Sequence, residues 1–339
     1  MNNLKLVKPV AIIVFNRPDL TKKLLDRLSE IKINKLYVIM DSARDGNIDD
    51  VKSCNEVMKL IKGIDFANEI IINKADLNLG CKTRLITGLN WLFKKEESAI
   101  ILEDDCCPSS SFVYFCSEML ETYKSNENIG LISGTNFYSS NRTSDEYYFS
   151  KYANIWGWAS WRRVWNLFDE NLVNWNNEVF KQEFKERCFS NDEFKHWNAV
   201  FKQTALGNID TWDYQFMLTI FSNFQLSIVP NVNLIDNLGF GHANATHTGD
   251  PHPSPESKSG DIIFPLKKKS EIVPNSDHDL HMQKLLYKLP PLYLRVLNRI
   301  KYIYQDPAHF PDYLSAKLEE ILDNMKDKLI AMRKTFKSK

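Results

Sequence analysis

The first 135 residues alternate between short apolar runs and stretches whose apolar residues recur at helical spacing. The apolar runs occupy residues 10–15, 36–40, 70–72, 99–102 and 130–133. After the first run, Leu20, Leu24 and Leu28 fall on one face of a helix, and later intervals repeat this pattern. Runs without polar alternation are typical of strands buried on both faces. The pattern therefore predicts an α/β fold with a mainly parallel central sheet flanked by helices.

The character of the chain changes beyond residue 140. Seven of the eight tryptophans lie within residues 156–212. Trp158, Trp161 and Trp165 match one face of a helix, which indicates either core packing or an aromatic platform for a sugar ring. Helical periodicity continues through residues 176–222. This half is therefore predicted to be largely helical and rich in aromatic contacts.

The fourth apolar run ends in three consecutive acids, Glu103, Asp104 and Asp105. In parallel sheets ligands bind beyond the carboxyl ends of the strands, which is where these acids fall. Adjacent carboxylates repel one another, so folding them together costs stability unless a cation is held there. Mg²⁺ and Mn²⁺ commonly bridge one or two carboxylates to a diphosphate. The acids indicate a metal–diphosphate site, and the alternative is a solvated strand end that caps the next helix.

Phosphate-binding glycine motifs are missing from the sequence. No GxGxxG motif follows the first strand, and no GxxxxGK(S/T) motif occurs anywhere. Their absence argues against the usual dinucleotide-binding fold and against a P-loop NTPase. A bound diphosphate would need another source of positive charge. A metal ion on the acids, together with Arg17 or Arg84, would supply it.

A single acid, Asp213, lies in the aromatic segment 211–216. Partial desolvation by the neighbouring Trp, Tyr and Phe would raise its pKa and suit it to act as a general base. The alternative is that Asp213 caps a helix over residues 213–222.

Two histidines, His242 and His247, lie in the segment 239–248, which is rich in small residues. Such a segment suits a loop over a ligand, where an imidazole could complete a metal shell. The alternative is that both are solvated loop histidines.

The overall charge narrows the choice of partners. The chain has 339 residues with 43 basic and 43 acidic side chains, which gives no electrostatic case for a nucleic-acid partner.

The first residues of the chain lack the apolar stretch of a signal peptide, and no run approaches the roughly 18 apolar residues of a membrane span. The six cysteines show no zinc-binding spacing. We therefore expect a cytoplasmic protein with reduced thiols.

The C-terminal part has its own composition. Residues 251–282 are predicted to form a loop or linker. Residues 283–339 are predicted to form a helical tail, with twelve Lys/Arg against six Asp/Glu. Basic amphipathic helices can lie on anionic membranes, so the tail indicates peripheral contact with the inner face of a membrane. The alternatives are a helical extension packed on the body and a contact within a homo-oligomer.

An ordered set of short motifs spans roughly residues 9–250. It comprises Phe15-Asn16-Arg17, Asp41, Glu103-Asp104-Asp105, Gly157-Trp158, Trp212-Asp213, Phe240-Gly241 and Thr246-His247. In this order the motifs resemble those of the GT-A glycosyltransferases, and they are most similar to N-acetylglucosaminyltransferase I and the bacterial transferases that share its pattern. The resemblance implies a GT-A domain over residues 1–250, with a nucleotide-binding half at 1–135 and an acceptor half at 136–250. Cys106-Cys107 directly after the acids departs from the family pattern.

The resemblance also implies roles for the donor-site residues. It places Mn²⁺ (or Mg²⁺) on Asp105, the ribose near Asp104, and Glu103 in support of the donor. Arg17 would contact the phosphates, and Asp41 would contact the uracil of a UDP-sugar.

For the reaction, the resemblance assigns the catalytic base of inverting members to Asp213 and matches His247 to a histidine near the diphosphate. It implies sugar transfer from a nucleotide-sugar, such as UDP-GlcNAc, to a hydroxyl of a glycan or lipid-linked acceptor in surface polysaccharide synthesis. One alternative is a sugar-phosphate nucleotidyltransferase, although Asn16-Arg17-Pro18 matches its glycine- and basic-rich loop poorly. Another alternative is a non-catalytic glycan-binding protein of the same fold.

Overall fold

The computed structural model describes residues 7–138, 145–242 and 258–287. The chain divides into two compact units, residues 1–288 and 289–339, and the second unit lies outside the described residues. His247 and nearly all of the predicted basic tail also lie outside them. The description that follows therefore concerns the first unit.

The first half of this unit alternates strands and helices, as its apolar pattern predicts. Its elements are β1 (Val10–Val14), α1 (Pro18–Leu28), β2 (Ile33–Met40), α2 (Ile48–Lys62), β3 (Ala67–Lys74), α3 (Cys81–Lys95), β4 (Ser98–Glu103), β5 (Cys106–Pro108), α4 (Phe112–Thr122) and β6 (Ile129–Ser133). The apolar stripe of α1 is buried against the sheet, and its first residue, Pro18, has the fixed φ that suits a helix start.

The second half is mainly helical. Its elements are β7 (Tyr147–Ser150), β8 (Trp158–Trp161), α5 (Arg162–Trp165), a 3-10 helix (Val173–Asn176), α6 (Glu178–Arg187), α7 (Asn191–Ala205), α8 (Asp213–Ser222), β9 (Leu226–Pro230), β10 (Ile235–Asn237) and α9 (Ser276–Leu285). Helices α6, α7 and α8 confirm the helical periodicity predicted over residues 176–222.

One eight-stranded sheet forms the centre, in the order β3-β2-β1-β4-β8-β6-β9-β7. Strands β3, β2, β1 and β4 are parallel neighbours, and β6 is parallel to β9. Strand β8 runs antiparallel between β4 and β6, and β7 is antiparallel at the far edge. The predicted α/β class, with a mainly parallel sheet between helices, is confirmed. The antiparallel strand β8 joins the two halves into one sheet.

The tryptophans of β8 correct one expectation. Trp158 and Trp161 belong to a strand rather than a helix, and Trp165 ends the short helix α5. All three are buried, which confirms core packing and leaves them unable to form a sugar platform. The spacing of these three tryptophans wrongly predicted a helix. A strand buried on both faces can carry apolar residues at any position, so they can happen to match helical spacing.

A two-stranded sheet lies beside the main sheet, where β5 pairs antiparallel with β10. Gly157 permits the close approach, because it has a φ of +61° and an added Cβ would lie 2.4 Å from Ile235 Cδ1. Its carbonyl also accepts a 2.7 Å hydrogen bond from the Gly134 amide. The small sheet is thus fixed at the end of β4, directly after the acids.

Residues 258–287 pack on the domain, although 251–282 was predicted to be a loop or linker. Ser259 binds the Asp236 carboxylate through its amide and hydroxyl. Asp279 in α9 accepts hydrogen bonds from the Ser150 hydroxyl at 2.5 Å and the Lys151 amide at 3.1 Å. Helix α9 therefore crosses the tail boundary predicted at residue 283. Within the described residues, no helix is both long enough and apolar enough to span a bilayer.

Candidate active site

The acids and Arg17 meet because two neighbouring parallel strands end together. Strand β1 pairs with β4 in a register that sets Ile13 beside Glu103. The Asp104 amide continues this ladder by donating to the Ile13 carbonyl at 3.1 Å. Arg17, three residues after β1, lies at the same edge of the sheet. The carboxyl edge predicted to bind a ligand is therefore where these charged side chains gather.

Arg17 contacts two of the three acids. Its Nη1 lies 3.0 Å from Asp105 Oδ2, its Nε lies 3.2 Å from Asp104 Oδ2, and its Nη2 donates to Asp104 Oδ1. The side chains are 15% exposed for Arg17, 2% for Asp104 and 17% for Asp105. Burial strengthens such charge-assisted hydrogen bonds, so Arg17 is firmly paired in this structure.

One guanidinium does not neutralise three carboxyl groups. Burial, together with the charges of Asp105 and Asp104, raises the pKa of Glu103 to about 8. Burial also raises the pKa of Asp104 to about 6, against the opposing effect of Arg17. Burial is the main cause of both shifts, and repulsion between the carboxylates adds to it; a bound cation would relieve that repulsion.

The donor atoms at this edge fit Mg²⁺ or Mn²⁺, because they are carboxylate oxygens with excess negative charge. The described residues contain no group of three or more His, Cys, Asp or Glu side chains arranged to hold an ion. Asp105 would therefore bind an ion together with oxygens that come from a diphosphate and from water. Shells of that kind are usual for Mg²⁺ bound at phosphate sites.

The turn after β10 forms one wall of the acid cluster. The Leu238 amide donates to the Asp105 carbonyl at 2.8 Å. A Cβ added to Gly239 would lie 2.5 Å from Asp105 Oδ2, so only glycine fits here without displacing that carboxylate. Phe240 follows, and its ring packs edge-on against Trp156 with centroids 5.3 Å apart. His242 lies farther along, with its Nε2 3.3 Å from the Asp19 carboxylate at the start of α1.

The Asp41 carboxylate stabilises the turn that leads into α3. It accepts hydrogen bonds from the Leu79 and Gly80 amides, each at 3.0 Å, and from Asn78 Nδ2 at 3.2 Å. Gly80 has a φ of +75°, which completes this turn at little steric cost. Asp41 is thus held at the carboxyl edge of β2, and its contact with uracil stays a prediction.

Arg84 does not join the acids. It is buried, its Nε donates to the Met40 carbonyl at 3.1 Å, and its Nη2 donates to the Asn73 carbonyl at 2.6 Å. These bonds tie α3 to the ends of β2 and β3. They favour a structural role for Arg84, so Arg17 is the arginine that the structure brings to the acids.

Asp213 is held near the acids by the preceding tryptophan. Trp212 is buried and stacks on Trp158 of β8 with ring centroids 5.7 Å apart. Trp158 is in turn the partner of Ile101 in β4, the acid-bearing strand. Asp213 is the first residue of α8, and its Oδ1 accepts hydrogen bonds from the Thr211 hydroxyl and, at 2.9 Å, from the Tyr214 amide. The residue before it occupies the N-cap position, so Asp213 is not the capping residue.

Asp213 lies close enough to the acids for their charges to interact. Burial and then the charges of Glu103 and Asp213 raise the pKa of the Cys81 thiol to about 12. Asp213 also contributes to the raised pKa of Glu103. Cys81, the first residue of α3, is exposed. Carboxylates from both halves of the domain therefore lie near Cys81.

The sequence interpretation missed two residues near the acids, Cys81 and Gly239. Nothing in the local pattern marks Cys81, which becomes part of the site only because α3 begins at the sheet edge. Gly239 carried a signal, since a glycine just after a strand often marks close approach of another group. All six cysteines lie in the described part of the chain, and none is paired with another in a disulfide there.

No protein-family model matches the sequence, and no curated protein sequence matches it. Among solved structures, the mannosyltransferase PcManGT from Pyrobaculum calidifontis, in complex with GDP-Man and Mn²⁺, is 11% identical, with 64% of this chain and 68% of that chain covered and a TM-score of 0.36. Mouse xyloside xylosyltransferase 1 is also 11% identical, with 64% and 82% covered and a TM-score of 0.31. A cytidylyltransferase from Leptospira borgpetersenii is 15% identical, with 58% and 72% covered and a TM-score of 0.28. Likenesses this distant carry no argument about activity.

Proposed function

We propose that this chain is a metal-dependent, inverting glycosyltransferase. It takes a sugar from a nucleotide-sugar, most simply a UDP-sugar such as UDP-GlcNAc, and transfers it to a hydroxyl of a glycan or lipid-linked acceptor. The observation that carries this proposal is the approach of Asp213 to the acidic end of β4, through Trp212 stacked on Trp158 of the neighbouring strand. The end of β4 has oxygen ligands for a metal–diphosphate, and Asp213 has a carboxylate that can act as a base.

The proposed reaction is one displacement. Asp213 takes the proton of the acceptor hydroxyl, and the acceptor oxygen forms a bond to the anomeric carbon as the bond from that carbon to the diphosphate breaks. Because attack comes from the face opposite the leaving group, the configuration inverts. Arg17 donates to the departing diphosphate, whose negative charge grows as the bond breaks. A Mn²⁺ or Mg²⁺ ion at Asp105 would supply Lewis-acid charge for the same group.

The test is a panel of nucleotide-sugars, each incubated with the full chain and Mn²⁺ and scored for binding and slow donor hydrolysis. Release of a nucleoside diphosphate and free sugar supports a transferase. Release of a sugar phosphate only in the presence of pyrophosphate supports the nucleotidyltransferase alternative. Binding of glycans without turnover of any donor supports the non-catalytic alternative.

The role of Asp213 is tested by Asp213→Asn, which keeps the shape and removes the proton acceptor. We expect UDP affinity to stay nearly unchanged and transfer to fall by roughly 10²-fold or more. Asn supports a helix start about as well as Asp, so a purely structural Asp213 would leave transfer intact. NMR of the product provides a second check, since an α-linked donor sugar must become β-linked. Retained configuration would remove Asp213 from the mechanism.

The proposal extends to the place of action. The excess of basic residues over 283–339 supports attachment to anionic lipid, which would bring the enzyme to a lipid-linked acceptor for surface polysaccharide at the inner face of the membrane. His247 is proposed to approach the diphosphate, on the strength of its motif alone.

A further inference from the structure

Arg17 uses the same carboxylate oxygens that a metal ion would need. Its three donor atoms reach both oxygens of Asp104 and one oxygen of Asp105. The Asp105 oxygen that it contacts, Oδ2, is also the one against which Gly239 packs. This oxygen therefore has Arg17 on one side and backbone on another, which leaves little room for a second cation.

A guanidinium and a divalent ion cannot share that position at low cost. Two positive charges a few ångströms apart in a partly buried site repel strongly, because the surroundings screen them less than bulk water does. An ion that binds Asp105 through Oδ2 must therefore shift Arg17 away from this oxygen. The long Arg17 side chain can make this movement while its backbone stays fixed between β1 and Pro18.

We infer that Arg17 is an internal counter-ion that competes with the divalent metal for Asp105 and moves to the donor diphosphate once the metal is bound. The second half of this inference rests on the proposed function. Without donor, Arg17 lowers metal affinity because it must first give up its contact with Asp105. With donor present, the displaced guanidinium gains phosphate oxygens as new partners. Metal and nucleotide therefore bind cooperatively, and Arg17 is a source of that coupling.

The alternative is that Arg17 replaces the metal permanently. In that case the guanidinium stays on Asp104 and Asp105 and supplies the positive charge for phosphate by itself. The two possibilities differ in wild type: competition predicts Mn²⁺ binding that nucleotide strengthens, whereas permanent replacement predicts no Mn²⁺ binding at Asp105 with or without nucleotide, so a titration of wild type separates them.

The experiment titrates Mn²⁺ alone into the full chain and follows free Mn²⁺ by electron paramagnetic resonance. We expect Arg17→Gln to bind Mn²⁺ about tenfold more tightly than wild type, because a competing cation is gone. Arg17→Lys should lie between them, because a single ammonium cannot bridge two carboxylates. Lys22→Gln, which removes one charge from the exposed face of α1, should match wild type. Thermal unfolding of each variant verifies folding, and Arg17→Lys serves if Arg17→Gln does not fold.

The titration is then repeated with UDP, or with the nucleoside diphosphate that the donor panel selects. In wild type the nucleotide should raise Mn²⁺ affinity, and in Arg17→Gln this enhancement should shrink about tenfold. Unchanged or weaker Mn²⁺ binding by Arg17→Gln without nucleotide would overturn the competition. An undiminished enhancement would overturn the movement to the diphosphate. If wild type binds no nucleotide from the panel, the proposed function fails, whereas the competition for Asp105 is judged by Mn²⁺ alone.

Discussion

Asp105 is held from three directions. Its Oδ2 contacts Arg17 at 3.0 Å, its Oδ1 lies 3.6 Å from Cys106 Sγ, and its carbonyl accepts the Leu238 amide. The carboxylate thus has a fixed position before any ligand arrives. The contacts with Cys106 and Leu238 do not depend on Arg17, so they still restrict Asp105 when a metal ion displaces the guanidinium, which limits the loss of side-chain entropy.

We expect Asp105→Ala to remove the dependence of nucleotide binding on metal. Wild type should bind UDP more tightly with Mn²⁺ than with a chelator, by about 100-fold or more, because losing even an outer-shell partner typically costs 10–100-fold. Calorimetry on both proteins measures the difference. Asp26→Ala, a change at an exposed ion pair on α1, is the control. Equal UDP affinity of wild type with and without metal would contradict the role of Asp105.

At the residue scale, the sequence locates the acids and Arg17 but not the partners of the other polar groups. Asp104 and Asp105 could be placed because they follow a continuous apolar run. Asp41 and Arg84 could not be interpreted in the same way, since their hydrogen-bond partners in the 78–80 turn and at Asn73 become neighbours only through the sheet. Contacts of this kind depend on tertiary structure, which local pattern does not encode.

At the scale of elements, β8 was the least predictable from the sequence. Strands that follow helices in a βαβ pattern can be recognised in the sequence by their long apolar runs and regular spacing. Strand β8 has four residues and enters the sheet between β4 and β6 from a distant part of the chain. Its tryptophans are buried on both sides, and their spacing mimics a helix. The partners of such a strand, rather than its own sequence, decide its conformation.

The junction between the main sheet and the small sheet should be sensitive to one methyl group at Gly157. Gly157→Ala forces a residue with a side chain into a φ of +61° and places a Cβ 2.4 Å from Ile235 Cδ1. We expect a loss of about 2 kcal/mol or more in the free energy of unfolding, measured by denaturant titration.

The control for this prediction is Gly46→Ala, which has a φ of +69° with nothing within 4 Å of an added Cβ. Gly46→Ala should lower the free energy of unfolding by about 1 kcal/mol, because it adds backbone strain and no steric clash. Adding Ile235→Val to Gly157→Ala should recover part of the loss by giving the methyl group room. Equal effects of the two alanine substitutions would show that the close approach is not important for stability.

At the scale of the whole molecule, acid should weaken the helical half through His196. Burial lowers the pKa of His196 to about 4, and its ring lies 5.1 Å from Trp197 and 5.7 Å from Tyr287 between centroids. The unfolded chain binds this proton with a pKa near 6.5, so the native state resists protonation. The associated stability is complete above pH 6.5 and is lost as the pH falls from 6.5 towards 4.

We expect His196 to lower the free energy of unfolding by about 2 kcal/mol when the pH falls from 7.5 to 5. Urea unfolding at the two pH values measures the change. In His196→Gln, which is uncharged at both values, the loss should be smaller by that amount. The same pH dependence in both proteins would mean that other groups are responsible.

The basic tail should be responsible for any binding of this protein to membranes. Deleting residues 289–339 keeps α9 and its contacts with β7 intact, because the first compact unit ends at residue 288. We expect the deletion to leave UDP binding unchanged and to reduce sedimentation with anionic vesicles, most clearly at low salt. If the intact chain does not sediment with such vesicles at low salt, the tail has another role.

Strand β8 also sets a condition on how this protein can be made. On the ribosome β4 emerges well before β8, and at about 5–20 residues per second the delay is on the order of several seconds. Through that delay one edge of β4 has no partner strand, and its apolar residues are open to pairing with another nascent chain. The strand that carries the acids is therefore where unfinished chains would associate, and the demand for chaperones should be greatest before Trp161 leaves the exit tunnel.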